Sequence, residues 1–287
     1  MKTLYPNNST IIYVAILMTC YNRIAKTLEC LNNSYKSKIP DNIKFTIYLV
    51  DDNSPDQTGK IVKERYSDIV VIQGTGSLYW NRCMRLAWEN ACIAYDYDFY
   101  LWLNDDTIIE PDAFNIIFSD YFNLLNTGIE AIITSVCHGI DPTEITYGGR
   151  NEQYESIVPN GDPQSCKYIN GNFTLISKVI FHKVGNLSSK YTHSGGDYDY
   201  GLRAIKSGFK CYITSSSLAI CIIDHISRKP DYFNLDFSFW KRLRILFFPQ
   251  SRFIDSIMFS FEDNGFVRTI RTIISTIILM LFPNSDK

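Results

Sequence analysis

Residues 11–19 read IIYVAILMT, an unbroken apolar run that stops at Cys20-Tyr21-Asn22-Arg23. A run this short and rich in β-branched side chains predicts a strand buried on both faces, as found inside a parallel sheet. Such a strand needs helices on each side of it. The chain supplies them. Ile24, Leu28 and Leu31 keep near-helical spacing over residues 23–35, and Pro40-Asp41 closes that unit. Phe45–Val50 (FTIYLV) predicts a second strand, residues 58–66 a second helix and Ile69–Gln73 a third strand. Residues 81–94 predict a third helix, and Asp98–Leu103 (DFYLWL) a fourth strand. This alternation predicts a doubly wound α/β sheet, mostly parallel and flanked by helices.

Polar side chains gather where these strands end, at Cys20–Arg23, Asp51–Ser54, Gly74–Ser77 and Asn104–Asp106. Turn formation and helix capping account for any one cluster taken alone. Four clusters at four strand ends predict one shared site, because ligands of open α/β sheets lie outside the carboxyl ends of the strands. The second half is less regular. It offers a strand at 131–137, a loop over 147–162, and an apolar stretch over 166–180 broken at Gly171-Asn172. The run Gly195-Gly196-Asp197-Tyr198-Asp199-Tyr200 opens a short helix ending at Gly208, and two strands follow at 211–213 and 218–223, then Asp224-His225.

Composition narrows the function classes. Lys and Arg total 28 against 30 Asp and Glu, a net charge of −2, so nucleic acid is not an expected partner by bulk charge. No GxxxxGK[ST] loop is present, which disfavours a P-loop NTPase. The eight cysteines include no CxxC pair and no zinc-finger spacing, and most lie in apolar runs; reduced, structural thiols in the cytoplasm are expected. The opening MKTLYPNNST lacks an apolar h-region, so no signal peptide is expected.

From Trp240 the character changes to WKRLRILFFPQSRF and later FVRTIRTIISTIILMLF. The uncharged stretch from Thr272 to Asn284 is shorter than the roughly 20 residues of a membrane span. Basic residues (Lys241, Arg242, Arg244, Arg252, Arg268 and Arg271) beside Phe, Leu and Ile predict an amphipathic, interfacial helix on an anionic membrane, or else a docked helix or dimer contact. The expected division is therefore an α/β domain over 1–239 and a basic, apolar helical tail over 240–287.

In Asn104-Asp105-Asp106-Thr107 two adjacent carboxylates repel unless a counter-charge is supplied. Mg²⁺ or Mn²⁺ supplies it through hard oxygen ligands, and such an ion also neutralises a departing diphosphate. Capping of a helix near Pro111 by Asp106 or Thr107 is the structural alternative.

The series ILMTCYNR, LVDDNSPDQT, QGTGSLYWNRCMRLAWENA, LWLNDDTIIEPDAF and GGDYDYGLRAIKSG resembles the family 2 glycosyltransferases of GT-A fold, rhamnosyltransferase-like members of bacterial surface polysaccharide synthesis above all. The motifs run in family order over residues 11–225. The resemblance implies an inverting transfer of a hexose or deoxyhexose from a nucleotide-diphosphate sugar to a lipid-linked oligosaccharide, as in O-antigen or capsule assembly. It implies an enzyme of the cytoplasm, peripheral on the inner face of the plasma membrane. It also implies that Thr19, Tyr21 and Arg23 line the nucleotide base, and that Asp51 or Asp52 contacts base and ribose. The loop with Gly76, Ser77 and Trp80, followed by Arg82 or Arg85, lies over the nucleotide. Asp105 touches the donor, Asp106 holds Mg²⁺ or Mn²⁺ with His225, and Asp197 is the general base, with Asp199 in reserve. Three positions depart from the family pattern: Asn104 replaces an acid, Gly196 stands where many members have Glu, and Arg82, Cys83 and Arg85 occupy a loop often rich in Gly and Asn. A nucleotide-sugar hydrolase or nucleotidyltransferase, and a non-catalytic sugar-binding subunit, are the alternatives.

Overall fold

A computed structural model describes residues 10–222, 231–248 and 252–282. The first half alternates as its sequence predicts: β1 (Ile12–Cys20), α1 (Ile24–Lys36), β2 (Ile43–Asp51), α2 (Thr58–Arg65), β3 (Val70–Gln73), α3 (Tyr79–Ala94) and β4 (Phe99–Leu103). Then come β5 (Ile108–Ile109), α4 (Ala113–Asn126), β6 (Ala131–His138), β7 (Ile145–Tyr147), β8 (Gln164–Cys166) and β9 (Phe173–Ser177). The chain continues through α5 (Lys178–Val184), α6 (Gly196–Lys206), β10 (Lys210–Ile220), α7 (Phe239–Leu246) and α8 (Phe253–Leu281).

One sheet in the order β3-β2-β1-β4-β9-β6-β10-β5 carries the fold, with β7 on β6 and β8 on β10. Pairing is parallel from β3 to β4 and between β6 and β10. The antiparallel β9 joins these two halves, so the sheet is mixed beyond β4.

The two-residue period of a strand divides its side chains between two cores. On β1, Ile12, Val14, Ile16, Met18 and Cys20 pack with α1, α2 and α4, while Ala15 and Leu17 pack with α3, α5 and α6. β4 does the same, with Phe99, Leu101 and Leu103 on one side and Tyr100 and Trp102 on the other. The second core centres on Trp88, whose ring lies 5.2 Å from Tyr100, 5.6 Å from Trp102, 5.0 Å from Phe181 and 5.3 Å from Tyr200. All eight cysteines are free thiols and all but Cys92 are buried, in line with a structural role.

Two elements differ from expectation. The two strands expected at 211–213 and 218–223 are one strand, β10, with its register against β6 shifting between Ile213 and Ala219. The polar Thr214–Ser217 stretch hides it from a hydropathy reading, yet Thr214 is buried and its hydroxyl accepts from the Val136 N–H at 3.3 Å. Also, α4 is preceded by Asp112 and has no side-chain cap from Asp106 or Thr107, which face elsewhere.

The C-terminal region is helical, and α8 is broken at Gly265, whose backbone (φ 77°, ψ 178°) is not helical and which tolerates positive φ for lack of a Cβ. Tyr232, Leu246, Phe253 and Met280 form a small core of their own. Of the basic residues expected to face a membrane, Arg242 instead turns inward, buried, and donates to the Met280 carbonyl at 2.7 Å. Past the break, Phe266, Val267, Ile274 and Phe282 are exposed beside Arg268 and Arg271. No helix among the described residues is long and apolar enough to cross a membrane.

Replacing Trp88 by Ala is expected to cost about 3–5 kcal/mol in denaturant unfolding, since a fully buried indole leaves a cavity. Trp88→Phe is expected to cost much less, because the indole N–H has no hydrogen-bond partner among the described residues.

Candidate functional site

Because β1, β2, β3 and β4 run parallel, their carboxyl ends open on one side of the sheet, and there the structure has a cavity of about 950 Å³. All four polar clusters reach it. Thr19, Cys20, Tyr21 and Arg23 come from the end of β1, Asp52 from the end of β2, Gly76 from the loop after β3, Tyr79 and Trp80 from the first turn of α3, and Asn104, Asp105 and Asp106 from the end of β4. Asp197 lines the same cavity from the first turn of α6. Asp52, Asp106 and Asp197 thus share one space.

The neighbouring acids Asp51 and Asp52 do different things. Asp51 does not line the cavity: it is 4% exposed, and it accepts from the Ser54 hydroxyl, the Ser54 N–H at 3.0 Å and the Gly59 N–H at 3.1 Å, closing the loop into α2. Asp52 lines the cavity, but its carboxylate is occupied by the N–H groups of Gly76 (2.7 Å), Leu78 (2.9 Å) and Tyr79 (3.0 Å). It therefore moulds the loop over the cavity as well as facing it. Of the two carboxylates expected at base and ribose, only Asp52 is within the site.

The NDD string is bound up with amides and a guanidinium. Asn104 Oδ1 accepts from the Trp80 indole at 2.7 Å while its Nδ2 donates to Asn172 Oδ1 at 3.1 Å. An amide can do both at once and a carboxylate cannot, so Asn104 is a constructive replacement. Asp105 is buried, accepts from the Thr27 hydroxyl at 3.0 Å, and has its carboxyl raised to about 7 by burial, against the opposing charge of Arg23. Arg23 lies 2.8 Å from Asp106 and 3.5 Å from Asp105. Arg23 thus supplies positive charge to both carboxylates of this acidic pair.

Asp106 offers a hard carboxylate oxygen to the cavity, and the Cys221 thiol sits 3.9 Å from its Oδ1. Among the described residues no group of three His, Cys, Asp or Glu side chains could hold a metal. Asp106 is the residue on this wall that would offer a hard oxygen to a divalent ion, with the ion's remaining ligands supplied from outside the described side chains. His225, the expected second ligand, lies outside the described residues.

Asp197 accepts the Gly171 N–H at 3.2 Å and the Tyr198 N–H at 2.9 Å. Burial nevertheless pushes its carboxyl up to about 6, the backbone bonds resisting. Asp199, expected in reserve, is placed differently. It does not line the cavity; it pairs with Arg203 at 2.7 Å, and Arg203 in turn bonds the carbonyls of Val184 and Asn186. Gly196 is also explained. A Cβ there would fall 1.9 Å from Asn81 Oδ1, and Asn81 is needed where it is, donating to the carbonyls of Ser188 (2.9 Å) and Tyr191 (2.8 Å).

Three expected site residues lie elsewhere. Ser77 is exposed at the loop tip against Thr75 (3.2 Å), Arg82 points to solvent on α3, and Arg85 binds the Leu187 carbonyl (2.6 Å) and Glu89 (2.9 Å). The helix starting at Tyr79 turns both arginines away from the opening. Residues that sequence reading missed include Asn170 and Asn172 at the Gly-Asn break, Tyr147 and Arg150 in the expected loop, and His193. His193 is pushed down to about 4 by burial and by Arg252, so it is neutral, and its Nδ1 has no partner among the described residues. Arg252, Asp255, Ser256 and Phe259 also line the cavity, so the boundary expected at 239/240 does not separate site from tail.

Gly196→Ala is expected to destabilise by collision with Asn81. In the double variant Asn81→Ala/Gly196→Ala, denaturant midpoints should reveal a favourable coupling of about 0.5–3 kcal/mol relative to the sum of the singles.

Residues 15–185 match the model of the family described as "Glycosyl transferase family 2". No curated protein sequence is significantly similar. Among solved structures, S. aureus TarS (residues 1–349) is 14% identical with a TM-score of 0.54, over 95% of this chain and 81% of that one. The mannosyltransferase PcManGT from Pyrobaculum calidifontis, solved with GDP-Man and Mn²⁺, is 12% identical with a TM-score of 0.55, over 97% of this chain and 83% of that one. GalNAc-T7, solved with UDP, GalNAc and Mn²⁺, is 11% identical with a TM-score of 0.58, over 84% of this chain but only 48% of that one. At these identities the likeness is one of fold.

Proposed function

The chain belongs to glycosyl transferase family 2, and from that premise we propose that it transfers a hexose or deoxyhexose, with inversion, from a nucleotide-diphosphate sugar to a lipid-linked saccharide in bacterial surface polysaccharide synthesis. The observation that carries this reading is that Asp197 and the Asp105-Asp106 pair line one cavity of about 950 Å³. Structures of similar fold bind UDP-GlcNAc and GDP-Man.

Inverting transfer needs a base at the acceptor hydroxyl and positive charge at the leaving diphosphate. Asp197 is the base. Its raised carboxyl keeps proton affinity near the working pH while leaving it ionised at neutrality. Asp52 holds the loop at 76–79 over the nucleotide, and Tyr21 and Thr19 line the base. Asp105, largely enclosed, anchors Arg23, whose guanidinium puts permanent positive charge on the diphosphate wall. Asp106 would hold Mg²⁺ or Mn²⁺, which when bound adds charge neutralisation at the diphosphate. The exposed apolar side chains past Gly265, with Arg268 and Arg271, support a peripheral contact with the inner face of an anionic membrane.

A donor screen by mass spectrometry, with UDP-, GDP- and dTDP-sugars and a lipid-linked acceptor mixture, tests the reading. Asp197→Asn is expected to reduce transfer by about 10²–10⁴ while nucleotide binding persists. A protonated Asp197 cannot accept the acceptor's proton. Hence kcat/KM should fall tenfold per pH unit below about 6 and level off above it. Unaffected turnover in Asp197→Asn rejects the base. For the tail, a chain ending at residue 265 should lose sedimentation with anionic liposomes; full co-sedimentation of that chain rejects the membrane contact.

A further inference from the structure

The loop that leads into Asp197 is held by a carboxylate 62 positions further along the chain. Asp255, in the first turn of α8, is 4% exposed. It accepts three successive backbone N–H groups, from Thr192 (3.1 Å), His193 (2.8 Å) and Ser194 (2.9 Å). An ionised carboxylate is an acceptor only, and its bonds to N–H groups are about twice as strong as neutral ones. Ser194 runs through Gly195 and Gly196 directly into Asp197, so the loop's placement sets where the candidate base sits.

The same helix is fastened at two more points. Glu262 accepts from the Tyr191 hydroxyl at 3.0 Å and pairs with Lys190, and those partners outweigh burial in keeping it ionised. Asp263 accepts from the Tyr154 and Tyr168 hydroxyls, each at 2.7 Å, and lies 3.4 Å from Lys167. Between these fastenings α8 presents Ser256 and Phe259 to the cavity, and Arg252 does so just before it. The Phe259 ring stands edge-on to Tyr198 at 5.6 Å, next in sequence to Asp197. None of these C-terminal residues falls within the 15–185 segment that defines the family.

Resting on the reading of Asp197 as the base, we propose that Asp255 is a positioning residue for the base loop and that the start of α8 forms the acceptor-side wall of the cavity. The wall combines an aromatic ring, a hydroxyl and a guanidinium, a set suited to the apolar face and hydroxyl rim of a saccharide. It comes from a different element than Thr19, Asp52 and Asp106 at the ends of β1, β2 and β4, and on this proposal changes in it act on transfer without acting on nucleotide binding.

Full-length Asp255→Asn and Phe259→Ala test this by three readouts: amide hydrogen exchange, calorimetry with UDP, GDP and dTDP plus Mn²⁺, and transfer to the lipid-linked acceptor mixture. In Asp255→Asn, exchange at residues 192–194 should rise and kcat should fall, each by about tenfold, with nucleotide affinity unchanged. In Phe259→Ala, the acceptor concentration giving half-maximal rate should rise by about tenfold, with exchange at 192–194 unchanged. Wild-type exchange and kcat in Asp255→Asn overturn the positioning role, as does a parallel loss of nucleotide affinity. An unchanged acceptor dependence in Phe259→Ala overturns the wall. The exchange readout does not depend on which residue is the base: full transfer by Asp197→Asn would remove the base, while raised exchange in Asp255→Asn would still support the restraint.

Discussion

Burial of the central strands on both faces is the constraint from which the rest of the molecule follows. β1 and β4 send alternate side chains into two separate cores and have no solvent face on which to carry polar groups. Polar chemistry is therefore excluded from the strands and appears where they stop. Parallel pairing places those stops side by side, with Cys20 opposite Asp51 in the β1–β2 register. A shared cavity is the geometric outcome.

At the strand ends around that cavity the acidic side chains are divided by what surrounds them. Asp51 and Asp52 spend their oxygens on backbone N–H groups and so shape the loops at 54–59 and 76–79. Asp105 is enclosed by Thr27 and Arg23. Asp106, paired with Arg23, and Asp197, bonded by the Gly171 and Tyr198 N–H groups, line the cavity from different elements. A motif of adjacent acids thus contains both scaffold and chemistry, and only their hydrogen-bond partners tell them apart.

This explains how far the sequence could be read. Strands buried on two sides announce themselves as apolar runs, so β1, β2, β4 and β6 were legible, and the strand-end clusters followed. β10 was not, since Thr214–Ser217 satisfies polar groups inside the sheet and breaks the hydropathy signal. Arg82 and Arg85 follow a loop that does reach the cavity, but helical rotation carries them away from it. The choice between Asp51 and Asp52 needed the loop geometry. A docked helix was one expectation for the tail, but the contact it makes could not be read: Asp255 recognises three main-chain N–H groups, which any sequence without proline at 192–194 offers.

Asn104 has a consequence for traffic into the cavity. Its amide joins Trp80 to Asn172 in an uncharged line beside Asp106, and Arg23 offsets the two carboxylates that remain, Asp105 and Asp106. A polyanionic cosubstrate drifting toward this wall meets far less repulsion than a third carboxylate would create. The single oxygen-to-nitrogen exchange at this position therefore bears on how fast such a molecule is captured, through the local field rather than through contact.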